Sequence, residues 1–535
     1  MLYMYSLCAT VIALSLDLVV AIPELNDINI LVVTDAHSWI SKHIHDDHDP
    51  VLNADYGSIA SAYLNLKSLA SETGKDVFLL NNGDHVEGSG LSDASVYTNG
   101  IHGYDLFPLI GMMPFDALNI GNHDLYDNST VEYMTGASNF VEGWNGNYLT
   151  SNVYNATTND NIGSTHTILK GENSDTSILV FGFLYHQTDA CAAVNVEDPS
   201  DTVLSPWFLS ALQEGVDAGV SAIVVLSHMD LKDDNVYVLQ EAIRGYGDTI
   251  PELQNMPLQF LTGHTHYRGW SKLDDFSSTF EAGHYLDTLG WISFSADTSS
   301  PTWFDFQYVD ANLDELYNFT GTDASTFDTD LGLEISSAIE ATVEELGLRT
   351  ILGCPQQDYS YAAGLGTEDS LYDLYMQKVI PLSVLNIPTG TGNTPWHLSS
   401  TGSLRYDIYS GEFYYDDVFA IAPFVNVFRY VADLSGQDLQ QIVNELSQTS
   451  NDSPVRTLLP KYVGGPDSID PNLFYDLFFN DYDEPYIVDA VEAVVGEDVV
   501  VVNWRDDSTD PNFVDTTLCW ATSVPALFPC DTDDV

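Results

Sequence analysis

Five short motifs follow one another along the chain: Asp35-Ala36-His37, Gly83-Asp84, Gly121-Asn122-His123-Asp124, His228 and Gly263-His264-Thr265-His266. They offer carboxylates, one amide and imidazoles, and no thiolate. That donor set suits hard-to-borderline divalent ions such as Zn, Mn, Fe or Co. Seven ligands (Asp35, His37, Asp84, Asn122, His228, His264 and His266) are too many for one ion with open positions. They suit two ions that share a carboxylate, and Asp84, the only ligand of its segment, is the natural bridge. Two ions about 3.5–4 Å apart clamp both oxygens of an in-line phosphoryl displacement and turn a bound water into a strong nucleophile. His123 directly follows the ligand Asn122. It therefore sits beside the cluster but points elsewhere, where a group protonates a leaving oxygen or holds a phosphoryl oxygen.

Such a cluster needs several strand ends at one edge. Each motif follows an apolar, β-branched run: Ile28–Thr34, Val77–Leu80, Phe115–Ile120, Ala222–Leu226 and Leu258–Leu261. Short runs of this kind bounded by turn residues read as buried strands, and ligands bind past the carboxyl ends of strands in open α/β sheets. Helical patterns at Ile59–Leu69 and Pro206–Asp217 alternate with them, which predicts α/β layering. At 535 residues the chain exceeds one hydrophobic core, so two domains are expected. Residues 28–300 read as the metal domain, 301–349 as a linker with a bridging helix near Glu334–Leu346, 350–505 as a second domain, and 506–535 as an irregular acidic tail.

The ordered set D-x-H, GD, GNHD, H and GHxH resembles the signature of the calcineurin-like metallophosphoesterases. Downstream, Gly402-Ser403-Leu404-Arg405, Gly411 with Asp416-Asp417, and Pro423-Phe424-Val425-Asn426 are similar to the C-terminal domain of secreted 5′-nucleotidases. Ala54-Asp55-Tyr56-Gly57, Gly88–Asp93 and Phe479–Asp483 look like a fungal secreted or vacuolar branch. The resemblance implies a two-sheet sandwich flanked by helices, plus a smaller α/β C-terminal domain. It implies one metal on Asp35, His37, Asp84 and His266, and a second on Asp84, Asn122, His228 and His264. His123 would be the catalytic histidine, Arg405 would contact the anionic part of the substrate, and Phe424 would stack on a base. Phe478, Phe479 and Tyr482 are candidates for a second aromatic wall. The chain departs from the pattern in three places. Tyr126 stands where the nucleotidases carry the Asp partner of the catalytic histidine, and the adjacent Asp127 is the carboxylate that would have to reach back. Ser400 replaces an Asn ahead of Arg405, and Glu368–Tyr375 lacks an arginine.

The charge is lopsided: 79 acidic against 15 basic residues, net −64, with only seven arginines. Such a surface disfavours nucleic acid polymers and anionic membranes as partners. With 44% apolar and 12% aromatic residues the chain is still well supplied for burial. Met1–Ala21 reads as a secretory signal with a Val19-Val20-Ala21 cleavage site, and no hydrophobic C-terminal tail predicts a lipid anchor. Beyond Cys8, the four cysteines Cys191, Cys354, Cys519 and Cys530 fit two disulfides, of which Cys519–Cys530 is the simplest. Asn128, Asn155, Asn318 and Asn451 occupy glycosylation sequons. His43, His45 and His48, with Asp46, Asp47 and Asp49, read as a solvated loop at the mouth of the site, and His102 and His284 as structural.

The expectation is a secreted or vacuolar metallophosphoesterase. It would act on a small phosphorylated metabolite, foremost a nucleoside 5′-phosphate, through a metal-bound hydroxide. A phosphodiester, cyclic nucleotide or UDP-sugar on the same site is the alternative substrate. A non-catalytic exported binding protein on a retired scaffold is the alternative class.

Overall fold

A computed structural model of the protein describes residues 22–45, 51–386, 389–447, 459–466, 468–496, 498–504 and 515–530. The signal segment, His48 with its neighbouring aspartates, and Asn451 lie outside the described residues.

The first half builds two six-stranded sheets. The strands are β1 (Ile28–Val33), β2 (Asp76–Asn81), β3 (Ala117–Asn119), β4 (Tyr148–Leu149), β5 (His166–Lys170), β6 (Ser177–Leu184), β7 (Ala222–His228), β8 (Leu258–Thr262), β9 (Arg268–Asp274), β10 (Ser277–Ala282), β11 (Thr288–Phe294) and β12 (Phe304–Asp310). One sheet runs β12-β11-β1-β2-β3-β4 and the other β9-β10-β8-β7-β6-β5. The five strands that lead into the candidate ligands are parallel ones, β1–β2–β3 in one sheet and β7–β8 in the other. Parallel strands covered on both faces need apolar side chains throughout. Accordingly Ile28, Ile30 and Val32 of β1 enter the core between the sheets with Phe78, Val224 and Leu226. Leu31 and Val33 turn outward beneath the helices. Helix α1 (Tyr56–Glu72) covers that face, and α2 (Pro206–Ala218) packs Phe208 and Leu212 on the second sheet.

The stretch expected to be a linker belongs to this body. β12 pairs antiparallel with β11 from Phe304 to Asp310, and α3 (Leu313–Thr320) caps it. α4 (Asp330–Glu345), the expected bridging helix, lies across α1 at Gly57 and Gly332. A Cβ on Gly57 would fall 2.2 Å from the Gly332 carbonyl, so only glycine permits this crossing.

The second half carries a five-stranded sheet. Its strands are β13 (Thr394–Ser400), β14 (Phe428–Ser435), β15 (Tyr462–Gly465), β16 (Phe474–Asn480) and β17 (Val501–Asn503), ordered β15-β13-β16-β14-β17. A short helix α5 (Tyr415–Ile421) precedes β14. The tail is not irregular throughout: α6 (Thr516–Leu527) buries Cys519, Trp520 and Val524 in the second domain's core. The disulfide is also corrected. Cys354 pairs with Cys530, while Cys191 and Cys519 are free. Cys519 sits on the buried face of α6, turned into the core, which removes it from a short tail loop.

Candidate active site

Four of the five motifs leave their strands through a strained or tightly packed turn, while His228 ends β7 itself. Asp35, His37, Asp84, His264 and His266 all have positive φ, between 44° and 75°. For residues other than glycine this conformation is costly, and five such residues gather at this one edge. The loops also touch one another. A Cβ on Gly121 would meet Asp84 Oδ1 at 2.1 Å, and one on Gly263 would meet Thr34 Oγ1 at 2.4 Å. Gly121 is therefore the contact between two loops of the first sheet, and Gly263 the contact between the loops of the two sheets.

The donors converge in two groups that share Asp84: Asp35, His37, Asp84 and His266, and Asp84, His228 and His264. Asn122 Oδ1 joins the second group, 3.0 Å from His264 Nδ1. His37 gives Nδ1 to the carbonyls of Val86 and Glu87, at 3.1 and 3.0 Å. Its Nε2 lone pair then faces His266 Nε2 at 3.1 Å and Asp84 Oδ2 at 3.4 Å. His228 likewise gives Nδ1 to the Asn82 carbonyl at 2.8 Å. Its Nε2 and Asp84 Oδ2 are buried 3.1 Å apart, yet neither has a hydrogen-bond partner. Buried polar atoms without partners are expensive, and lone pairs aimed at one point fit a divalent cation. Burial holds His37 and His266 well below the usual imidazole range and His264 at about 4, so these rings are neutral, as ligands must be. Burial also opposes charge on His228, but the Asp84 and Asp35 carboxylates outweigh it and push that ring up to about 10. A cation would take the place of this proton.

His123 is fixed at two points. Its backbone N–H donates to Asp84 Oδ1 at 2.9 Å, and its Nδ1 lies 2.5 Å from Glu87 Oε2. Asp127 does not reach back. It caps a short helix instead, accepting from Ser129 N at 3.0 Å and Ser129 Oγ at 2.7 Å, because a serine two residues on offers a local closure that outcompetes the distant ring. Tyr126 orients a candidate ligand. Its hydroxyl accepts from Asn122 Nδ2 at 3.1 Å, which aims Asn122 Oδ1 at the donors. Glu87, three residues beyond Asp84, is thus a site residue that sequence reasoning passed over. His85 pairs with Asp124 at 2.9 Å and is structural. His43 packs under Trp39 with Nε2 on the Tyr285 carbonyl, and His45 pairs with Asp417 at 2.9 Å. His43 is thus packed within the first domain and His45 reaches across to the second, so neither ring belongs to a solvated loop.

Arg405 and Phe424 come from the second domain to the same place. The Arg405 guanidinium lies 5.6 Å from the Phe424 ring centre and its Nε donates to the Tyr285 hydroxyl at 3.4 Å. The Phe424 ring stands 6.1 Å from His123, nearly parallel at 23°. A cavity of about 770 Å3 joins these residues to Asp84, Asn122, His264 and His266. Of the candidate second aromatics, Phe478 and Phe479 are core residues, whereas Tyr482 is 55% exposed and borders the cavity.

Two stacked mixed sheets with this donor cluster define a metallophosphoesterase domain. Residues 28–268 match the calcineurin-like phosphoesterase family model, and residues 359–471 match the model of the NAD nucleotidase C-terminal domain. The chain therefore carries a calcineurin-like phosphoesterase domain followed by a nucleotidase-type C-terminal domain, the make-up of a phosphoester hydrolase. It is 29% identical over 492 residues to an uncharacterized protein of Schizosaccharomyces pombe, covering 83% of this chain and 77% of that one. It is 27% identical over 484 residues to a secreted protein of Arthroderma benhamiae, covering 82% and 69%. Among solved structures, a 5′-nucleotidase from Candida albicans superposes with a TM-score of 0.83 at 22% identity, over 94% of this chain and 99% of that one. A 5′-nucleotidase precursor from Thermus thermophilus does so with 0.62 at 14% identity, over 94% and 97%.

Proposed function

We propose that the protein is a dinuclear metal-dependent nucleotidase that hydrolyses nucleoside 5′-phosphates in the cleft between its domains. The observation that carries this reading is the convergence of Arg405 and Phe424 with His123 on one side of the cavity, facing the metal ligands. Two divalent ions on the groups that share Asp84 would neutralise the phosphoryl charge and activate the attacking water. The protein's own residues do the rest. Arg405 binds the anionic part of the substrate and Phe424 stacks on the base. Glu87 takes the Nδ1 proton of His123 in a hydrogen bond, which leaves Nε2 to meet a phosphoryl or leaving oxygen. The Candida albicans protein that shares this fold over nearly the whole chain is named a 5′-nucleotidase, which supports the substrate class. The signal-like Met1–Ala21 and the Arthroderma benhamiae relative named as secreted support an extracellular or vacuolar site of action. Among the described residues no helix is long and apolar enough to cross a membrane.

The test is turnover of a panel of phosphate mono- and diesters after loading with Zn, Mn or Co. Nucleoside 5′-phosphates should lead the panel. Phe424→Ala and Arg405→Ala should raise KM for nucleotides by roughly 5–150-fold, since base stacking is worth about 1–3 kcal/mol and a charge-assisted contact about as much, and should spare small aryl phosphates. Equal loss on both substrate types would overturn the nucleotide assignment, and a diester leading the panel would replace it.

A further inference from the structure

Behind His123 the chain buries an alternating row of imidazoles and carboxyl groups. Glu87 Oε2 faces His123 Nδ1 at 2.5 Å, and Glu87 Oε1 lies 4.0 Å from His102 Nε2. The other His102 nitrogen, Nδ1, lies 3.0 Å from Asp93 Oδ1. Asp93 Oδ2 accepts from the Gly88 backbone N–H at 2.8 Å, so the far end of the row is tied to the turn that carries Glu87. His102, Glu87 and Asp93 are all less than 9% exposed. None of the three is a ligand in either donor group.

Physical necessity links these groups. Two carboxylates in one buried pocket repel strongly, and an uncompensated one either takes a proton or moves to water. With Oε2 on His123, the second Glu87 oxygen faces His102, which Asp93 orients from behind. Burial works against charge on His102, yet the flanking carboxylates raise the ring to about 9, so it is an imidazolium at neutral pH.

From this geometry we infer that His102 is a positioning residue for the reaction: it bridges Glu87 and Asp93 and thereby holds the Glu87 carboxylate on His123. The inference rests on the role given above to His123. It differs from a packing role in one respect: the effect of His102 on turnover must pass through His123.

A double-mutant cycle tests this. His102→Gln keeps a polar side chain and removes the charge. It should lower kcat by roughly 10–100-fold, the usual cost of losing a group that orients an active-site residue, with KM and metal content nearly unchanged. In a His123→Ala background the same substitution should change kcat less than about 2-fold, because the residue it acts through is gone. An equal fold loss in both backgrounds, or no loss in the parent, overturns the inference. Asp93→Asn is the second variant, nearly isosteric and read the same way. It should cost several-fold in the parent and nothing in His123→Ala, and an equal cost in both refutes the row even if His102→Gln fails to fold. Full activity of His123→Ala alone would sink the role of His123 instead, which keeps the two failures apart.

Discussion

The contact between the domains holds a carboxyl group whose ionisation opposes folding. Asp416 stands in the first turn of α5, 5% exposed, and its Oδ1 accepts from the Gly90 N–H of the first domain at 2.6 Å. Burial, helped by the nearby Asp417 and Asp93 carboxylates, lifts its pKa from 3.8 to about 7. The folded form therefore holds this proton more tightly than the unfolded chain. Its contribution is complete below about pH 4 and is lost as the pH rises toward 7. At about 1.4 kcal/mol per unit, the full swing is on the order of 4 kcal/mol. Asp416→Asn keeps the acceptor for Gly90 and never ionises. It forgoes a negative charge near a helix start, worth about 0.5 kcal/mol, so the expected gain at pH 8 is about 3.5 kcal/mol, with little or none at pH 4. Urea unfolding at the two pH values measures it. A variant no more stable than the parent at pH 8, or one stabilised equally at both values, would refute the reasoning.

Three further outcomes are expected. Asp84→Asn should bind less metal and lose most turnover while folding normally, and metal content and activity unchanged together would remove Asp84 as the bridge. Glu87→Gln should lower kcat while Asp127→Asn leaves it within about 2-fold, since only Glu87 meets His123; steady-state kinetics on both variants decides between the two carboxylates. Cys354→Ser should destabilise the second domain by up to about 5 kcal/mol, the chain-entropy value for a loop this long, given a sequence separation of 176; a midpoint unchanged in thermal unfolding would argue against the cross-link.

The ligand-bearing strands were legible because both faces of β1, β2, β3, β7 and β8 are buried, which leaves largely apolar runs that end at the ligands. β12 was harder to see. Phe304, Phe306 and Tyr308 do alternate, but Asp305 and Gln307 stand between them on an edge strand, and the run reads as polar. Glu87 carried no signal of its own. It is one acidic residue among 79, and its partner His123 is close only because β2 and β3 are neighbours. Asp127 looked better for the opposite reason: adjacency in sequence suggested a contact that the capping of Ser129 pre-empts. The helical tail was hidden by its composition, since the Asp and Thr residues that suggest irregular chain surround the apolar residues that α6 buries.

The left-handed backbone at Asp35, His37, Asp84, His264 and His266 sets these positions against the rest of the fold. Such a residue costs on the order of 1–3 kcal/mol, and glycine adopts the same turn without penalty. Any ligand replaced by glycine would relax its loop while destroying the chemistry. Selection for a robust chain and selection for a working one therefore pull in opposite directions at the same five residues.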